Sequence, residues 1–356
     1  MKKLLIILGI LLTVGIIAIA VGCSRYNSLI GPVSDSDEVI EVEITANHTY
    51  STLGTLLKEK GLINDELIYK IYIKLNNPKT LQIGTYKLSP NMSIEEIIEV
   101  FEKGSTFDPN VVNITFREGL NMKSIASIIA ENTDNTEKDV FNTLKDKEYL
   151  NSLIKEYWFL TDDILNSKLY YSLEGYLFPD TYQVSKKASV KDIFKVMLNK
   201  MNEILTPYKE TIEKSNYSVH EIITLASIVE LEAGTSNERS GVAGVFYNRI
   251  NSGWTLGSDV TTYYAEQKSF KQDLTKEELN ECNDYNTRGT CFTGLPVGPV
   301  SNPGKESLEG TINPTSSNYY YFVADKNGKT YFNTSSSGHS QTIQELKNSG
   351  LWYVYE

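Results

Sequence analysis

Residues 218–234 read Ser-Val-His-Glu-Ile-Ile-Thr-Leu-Ala-Ser-Ile-Val-Glu-Leu-Glu-Ala-Gly, and this stretch predicts one well-delimited α-helix. Ser218 and Glu221 have the spacing of a capping box, in which each side chain bonds a free backbone N–H of the first turn. Gly234 stands where helices commonly end in a left-handed glycine. We therefore expect a helix over residues 218–233.

Two glutamates near the end of this helix fall on opposite sides of it. At about 100° per residue, Glu230 lies on the apolar stripe between Ile223 and Ala226, whereas Glu232 lies near Glu221 on the polar side. A carboxyl group among apolar side chains loses solvation of its charged form and tends to stay protonated. Glu230 is therefore the candidate acid catalyst; a glutamate that finds a partner or solvent at a helix end is the alternative. We interpret Glu232 as a surface or ion-pairing residue.

A segment rich in glycine and proline follows between residues 293 and 304. Such a loop is stiff and exposes small polar side chains and backbone amides, which suits hydrogen bonding to a polar ligand such as a sugar. We expect Asn286 to face Glu230 across a cleft and to bond the ligand with its amide. A structural loop over the domain core is the alternative. The candidate binding residues are Ser258, Asp259, Tyr285, Asn286, Thr287 and Asn302.

The remaining patterns predict an α+β fold. Ile40, Val42 and Ile44 alternate with glutamates as in a half-buried strand, and Gly84–Leu88 reads as a second strand, with two short helices between them. Ser93 begins a further helix, which Gly104 ends. The order strand–helix–helix–strand is that of a small LysM-like module, here residues 39–106.

A larger mixed α+β domain then occupies residues 107–356. Helical patterns cover residues 122–131 and 191–205. Asn327-Gly328, between predicted strands at 319–323 and 330–332, indicates a hairpin.

The N-terminal residues predict a membrane anchor over residues 1–23. Residues 4–22 carry no charge and follow two lysines. An apolar run of about 20 residues can cross a bilayer, and the lysines favour a cytoplasmic N-terminus with the rest of the chain outside. The sequence ending Gly22-Cys23 resembles a lipobox, so a lipidated Cys23 is the alternative. Residues 24–38 are polar and read as a linker.

Charge and cysteine content narrow the functional classes. The net charge of −11, with no basic cluster beyond the first lysines, argues against nucleic-acid binding. Cys282 and Cys291 lie in a region expected outside the cell, where they form either a short disulfide loop or two free thiols. The three histidines are scattered, so we expect no metal site.

A series of short motifs runs in one order along the chain. They are Gly84-Thr85-Tyr86, Arg117-Glu118-Gly119, Glu174-Gly175-Tyr176-Leu177-Phe178-Pro179-Asp180-Thr181-Tyr182, Ala226-Ser227-Ile228-Val229-Glu230 with Glu232, Val245-Phe246-Tyr247-Asn248-Arg249, Gly257-Ser258-Asp259, Tyr285-Asn286-Thr287, Gly294-Leu295-Pro296 and Ser301-Asn302-Pro303-Gly304. Together they resemble the MltG (YceG-like) family of endolytic murein transglycosylases.

The resemblance implies a single-pass membrane protein at the outer face of the bacterial cell membrane, with a LysM-like subdomain and a YceG-like catalytic domain. Its acid would be Glu230, the first glutamate of the Ile-Val-Glu-x-Glu motif. The family cleaves between N-acetylmuramic acid and N-acetylglucosamine within nascent peptidoglycan strands, leaving 1,6-anhydro ends, and is expected to end chain growth beside the peptidoglycan synthases. Because the nucleophile is the sugar's own 6-hydroxyl, one carboxyl group suffices and no cofactor is expected.

Some residues depart from the family pattern. Val260 replaces the usual proline, Gly338 replaces the acidic residue usual before His339, and the Cys282–Cys291 pair is a local addition. We assign His339 no role.

Two other functions fit the same residues. One is a hydrolase with Glu230 as acid and Asp259 as base to a water. The other is a wall-binding scaffold without catalysis.

Overall fold

The structure is a computed structural model that describes residues 22, 25–79, 81–104, 111–235 and 238–352. The chain divides into two compact units. The first consists of Met1–Asn113 and Tyr182–Ala188, and the second of Ile114–Thr181 and Ser189–Glu356. The β-strands are β1 Ile40–Ile44, β2 Gly84–Leu88, β3 Val111–Thr115, β4 Thr181–Ser185, β5 Tyr321–Ala324 and β6 Thr330–Asn333. The α-helices are α1 Tyr50–Glu59, α2 Glu66–Asn76, α3 Ile94–Lys103, α4 Met122–Asn132, α5 Glu137–Thr143, α6 Lys147–Glu156, α7 Val190–Leu205, α8 Lys209–Glu213, α9 Val219–Glu232, α10 Arg239–Asn251, α11 Asp259–Ala265, α12 Lys276–Asn280, α13 Lys305–Ile312 and α14 Ser336–Asn348.

The predicted α+β class is confirmed, and the strands pair two by two. β1 pairs with β2, β3 with β4, and β5 with β6. The boundary between the units falls within both β3 and β4. The helices predicted at residues 122–131 and 191–205 are present as α4 and α7, with ends within one residue of those expected.

The first unit contains the predicted order strand–helix–helix–strand. β1 and β2 are antiparallel, with Ile40 opposite Leu88 and Ile44 opposite Gly84. The inward side chains of this ribbon join the helices in one apolar core, where the rings of Tyr86 and Phe101 meet edge to face at 5.0 Å. A two-stranded ribbon is marginal in water by itself, so this packing is what stabilises it.

Local capping signals correctly mark the next helix, α3. The Ser93 side chain accepts a hydrogen bond from the Glu96 N–H, and the Glu96 carboxylate accepts one from the Ser93 N–H. Gly104 follows the helix at φ 88°, a conformation that favours glycine. Both ends of α3 lie where the sequence predicts them.

Helix α9 forms over almost the whole predicted span, with Ser218 as its N-cap. Every residue from Ile222 to Val229 is buried, so α9 is enclosed on all sides rather than amphipathic. The prediction that a left-handed glycine ends this helix is wrong. Ala233 ends the helix in extended backbone, and Gly234 has no positive φ. Gly234 is needed for close approach instead, since a Cβ there would lie 2.8 Å from the Gly328 carbonyl oxygen.

The predicted hairpin is present as β5 and β6, but its first strand begins two residues later than expected. The loop between the strands is longer than a two-residue turn. Asp325 closes it, because its side chain accepts hydrogen bonds from the backbone N–H groups of Asn327 and Lys329. Gly328 adopts φ 83°, as the turn requires.

Within the described residues, none of the helices combines the length and apolarity needed to cross a bilayer. The span predicted for residues 4–22, apart from Gly22, and the lipidation candidate Cys23 lie outside the described residues.

Candidate active site

Glu230 lies in the last turn of α9, with its side chain only 6% exposed. Its Oε2 accepts a hydrogen bond from the backbone N–H of Gly304 at 2.9 Å and another from Nη1 of Arg239. Gly304 is the N-cap of α13, where unpaired N–H groups and the helix dipole favour an anion. The carboxyl group of Glu230 is therefore held between a guanidinium and a helix N-terminus.

Arg239 is the first residue of α10 and is nearly buried, with its side chain 10% exposed. A cation in the first turn of a helix opposes the helix dipole, so its position needs acceptors nearby. Nη1 of Arg239 donates to Glu230 and also to the hydroxyl of Ser307, in the first turn of α13. The end of α9 and the starts of α10 and α13 therefore meet at this ion pair.

The surroundings predicted for Glu230 are wrong. The sequence places it on an apolar stripe, whereas the carboxyl group meets a guanidinium and a backbone donor. A nearly buried carboxylate needs such partners to offset the loss of hydration. The residue is on the predicted helix, but its environment is polar and charged.

A second carboxyl group, that of Glu118, lies beside the same guanidinium. Its Oε2 is 3.8 Å from Nη2 of Arg239, and its side chain is 47% exposed. Partial burial raises the pKa of Glu118, and the neighbouring Glu230 carboxylate raises it further, while Arg239 acts in the opposite direction. Glu118 is thus the more accessible of two carboxyl groups around one cation.

Paired backbone hydrogen bonds hold the Glu118 loop in place. The N–H of Gly119 donates to the Asn302 carbonyl at 2.9 Å, and the N–H of Asn302 donates to the Leu120 carbonyl at 2.8 Å. Glu118 consequently lies over Gly304, where a Cβ would collide with its carboxylate. Glycine at 304 therefore lets both carboxyl groups approach the start of α13.

The Asn302 side chain ties this loop to a buried acid, Glu174. Asn302 Nδ2 donates to one carboxyl oxygen of Glu174 at 2.9 Å, and the Met122 N–H and Tyr264 hydroxyl donate to the other, each at 2.9 Å. Burial raises the pKa of Glu174 to about 7, although these donors act to lower it. Asn302 is 1% exposed, so the predicted direct contact with substrate is not supported. Asn302 instead supports the loop that carries Gly304.

Of the two roles predicted for Glu232, surface residue or ion-pairing residue, the structure does not support the first; Arg249 and Arg288 are positive charges that act on its carboxyl group. Glu232 is half-buried, and Ser258 donates its hydroxyl to the Glu232 carboxylate at 2.6 Å. Burial raises the pKa of Glu232, and the hydrogen bond from Ser258 opposes that change. Ser258 is itself buried, and its N–H donates to the Thr287 hydroxyl, so Ser258 and Thr287 form an internal network.

The predicted substrate loop turns its key side chains inward. Asn286 is 1% exposed; its amide oxygen accepts from the Thr262 hydroxyl at 2.7 Å and its NH₂ donates to the Glu281 carbonyl at 2.9 Å. Tyr285 is fully buried and accepts from the Tyr170 N–H at 3.2 Å. The burial of Tyr285, Asn286, Thr287 and Ser258 does not support direct contact with a ligand, and the alternative interpretation as a structural loop fits them better.

Asp259 and the cysteines complete the predicted set. Asp259 is exposed and pairs with Arg288 at 3.0 Å, so its role in binding stays a prediction. Cys282 and Cys291 are joined by a disulfide with a Cα–Cα distance of 5.7 Å. In the part of the chain that the structure describes, no cluster of three His, Cys, Asp or Glu residues is arranged to hold a metal ion.

Arg239, Glu118 and Ser307 are site residues to which the sequence patterns assign no role. A signal for Arg239 exists, since an arginine at the start of a helix opposes the dipole and calls for a nearby anion. Glu118 belongs to a motif quoted above, but its exposure and its distance from Glu230 depend on the tertiary structure.

Acid–base enzymes use sites of this kind, in which a nearly buried glutamate is ion-paired within a folded domain. Here the domain is α+β and the ion pair lies where three helix ends meet. The model of the YceG-like family matches residues 42–345, and the chain belongs to that family, as its motifs predict.

Relatives share this sequence over most of the chain. A Bacillus subtilis (strain 168) protein named endolytic murein transglycosylase is 33% identical over 325 residues, covering 90% of this chain and 89% of the relative. A Streptococcus pneumoniae (strain D39) protein of the same name is 31% identical over 340 residues, covering 91% of this chain and 61% of the relative. The crystal structure of a yceG-like protein from Listeria monocytogenes is similar with a TM-score of 0.60 and 36% identity, covering 86% of this chain and 100% of that one.

Proposed function

We propose that this protein is an endolytic murein transglycosylase, which cleaves bonds between N-acetylmuramic acid and N-acetylglucosamine within peptidoglycan strands. The observation that carries the proposal is the placement of Glu230, the glutamate of the family motif, between Arg239 and the N-terminus of α13. Membership of the YceG-like family and the names of the curated relatives support the substrate class.

Glu230 supplies the proton in the first step. In the described part of the chain both hydrogen bonds to its carboxyl group end on Oε2, so Oε1 is the oxygen left to meet a substrate. A proton on Oε1 passes to the leaving oxygen of N-acetylglucosamine as positive charge develops at the muramic-acid anomeric carbon. Arg239 and the start of α13 then stabilise the carboxylate that remains.

The nucleophile is the 6-hydroxyl of the same muramic-acid residue. Its oxygen bonds the anomeric carbon, closing a 1,6-anhydro ring as the bond to N-acetylglucosamine breaks. An intramolecular nucleophile has a high effective concentration, which removes the need for a bound water. The hydroxyl proton passes to the carboxylate that Glu230 has become, so atoms and charge balance with one carboxyl group and no cofactor.

The cellular setting forms part of the proposal. The apolar residues 4–22 would anchor the chain in the cell membrane with residues 39–356 on the outer side, where nascent glycan is found. The unit with the order strand–helix–helix–strand would act as a LysM-like module. Peptidoglycan synthases are the expected partners, since chain termination requires access to growing strands.

End-group analysis of the products tests the proposal. Purified protein is incubated with nascent, uncrosslinked glycan, and the fragments are analysed by mass spectrometry. We expect 1,6-anhydro-muramic ends. Reducing ends would instead favour the two-carboxylate hydrolase, and binding without any cleavage would favour a scaffold.

A further inference from the structure

We propose that Glu118 is a second catalytic residue, which contacts the glycan and takes the proton from the muramic-acid 6-hydroxyl while Glu230 protonates the leaving oxygen. This inference rests on the proposed function and divides its two proton transfers between two carboxyl groups.

The geometry places both groups at one site. Glu118 approaches Nη2 of Arg239 at 3.8 Å, while Nη1 of the same guanidinium donates to Glu230. The Glu118 carboxylate also lies against Gly304, whose N–H donates to Glu230. Glu118 thus borders the same cation and the same helix start as Glu230.

Exposure separates the two roles. The side chain of Glu230 is 6% exposed and its Oε2 is already occupied, whereas that of Glu118 is 47% exposed. Oε2 of Glu230 accepts hydrogen bonds from both Arg239 and the Gly304 N–H, whereas Glu118 lies 3.8 Å from Arg239 and is open to solvent. Glu118 can therefore both meet a hydroxyl and exchange protons with solvent.

The charges that face Glu118 come from three helices. Burial raises the pKa of Glu118, the charges of Glu230 on α9 (once it is ionised) and of Glu306 on α13 raise it further, and Arg239 on α10 opposes them. A base with a raised pKa holds an abstracted proton more readily, provided that it is ionised at the working pH.

The O6–H bond breaks and its proton goes to Glu118, the O6–C1 bond forms, the bond from C1 to the leaving oxygen breaks, and the proton of Glu230 goes to that oxygen. The products are the anhydro sugar, a free 4-hydroxyl, a protonated Glu118 and an ionised Glu230. Release of a proton from Glu118 and uptake by Glu230 through solvent restore the enzyme.

The test uses the full-length protein and nascent uncrosslinked glycan, with Glu118→Gln, Glu118→Ala and the matched control Glu306→Gln. Glu306 is a nearby exposed acid on α13 with no hydrogen bond to Arg239 or Glu230 among the described residues. Cleavage rate is measured against pH, glycan binding is measured separately, and formate is added to Glu118→Ala as a small replacement carboxylate.

We expect Glu118→Gln to lose about 10²-fold or more in cleavage rate, to bind glycan normally and to lack the acidic limb of the pH profile. Formate should restore part of the activity of Glu118→Ala, and Glu306→Gln should stay close to the unmodified protein. Full activity in Glu118→Gln would overturn the proposal, as would lost activity with an unchanged acidic limb and no rescue, since Glu118 would then only position Arg239. If the unmodified protein forms no anhydro ends, the proposed function itself fails, and that result is separate from these.

Discussion

Helix α9 ends with two glutamates whose surroundings differ in kind. Glu230 meets a guanidinium and the N-terminus of α13, both of which favour a negative charge. Glu232, two residues later, accepts a hydrogen bond from the neutral hydroxyl of Ser258. The charges of Asp259, Arg249 and Arg288 affect its carboxyl group less than that bond does. The partners brought by other elements, rather than the helix face, distinguish the carboxyl group that we propose as the acid from the one in an internal network.

The helical wheel distinguishes these two glutamates by an assumption that does not hold for α9. It assumes one apolar and one solvated face, but α9 is buried on all sides between Ile222 and Val229. Both glutamates are consequently shielded from solvent. Only the tertiary contacts reveal that one of them is joined to a second acid, Glu118, through Arg239.

The largest expected effect comes from Glu230→Gln. Glutamine keeps the shape and can still accept the Gly304 N–H, but it has no proton to give. Cleavage of nascent glycan should fall by about 10²–10⁴-fold, the usual contribution of a general acid–base group. Initial rates measured by mass spectrometry of released fragments check this. The thermal unfolding midpoint serves as the control for folding.

Glu174 should make stability depend on pH. Its pKa rises from 4.5 to about 7 on folding, so the folded protein keeps a proton that the unfolded chain has lost within that interval. Stability from this group is therefore full below pH 4.5 and is lost as pH rises to about 7, by about 3 kcal/mol. Urea unfolding across this range should show the decline.

The matched variant for that measurement is Glu174→Gln, which does not titrate. Its stability should fall less steeply with pH than that of the unmodified protein. Equal slopes in the two proteins would mean that Glu174 ionises normally when folded.

Arg239→Lys should lower cleavage by a smaller factor of about 10. Lysine retains the charge but lacks the planar fork with which Arg239 reaches Glu230, Ser307 and Glu118. Arg288→Lys is the control, because the Arg288 pair with Asp259 is exposed and such pairs contribute at most about 1 kcal/mol. Similar losses in both variants would argue against a special role for Arg239.

The smallest effect should come from Glu232→Gln. The Ser258 hydroxyl can donate to a glutamine oxygen as it does to the carboxylate, and burial disfavours the charge that the variant lacks. Cleavage should stay within a few-fold and stability within about 1 kcal/mol. Loss of cleavage comparable to that of Glu230→Gln would contradict this difference between the two residues.

Local signals explain which parts of the fold the sequence predicts well. Capping boxes at Ser93 and Ser218 act within a few residues, and both helices begin where these signals stand. The alternation of apolar and charged residues in β1 indicates one buried face and is likewise a local signal. Gly234 shows the limit, because its requirement comes from the distant Gly328 turn.

The site is predictable only in part for the same reason. Glu230 is found from a helix pattern and a family motif, both contained in one segment. Its partners Arg239, Gly304 and Glu118 come from separate segments, and no local pattern states that they meet. Polarity on a stiff loop is ambiguous too, since Asn286 uses its amide to bond the protein's own backbone and the Thr262 hydroxyl.

The most direct measurement compares the initial rates at which Glu230→Gln and Glu232→Gln form 1,6-anhydro ends on the same nascent glycan, after both variants are shown to be folded. We expect a rate for Glu232→Gln close to that of the unmodified protein and a rate for Glu230→Gln that is lower by at least about 10²-fold. Equal rates, or a slower Glu232→Gln, would contradict the assignment of Glu230 as the acid.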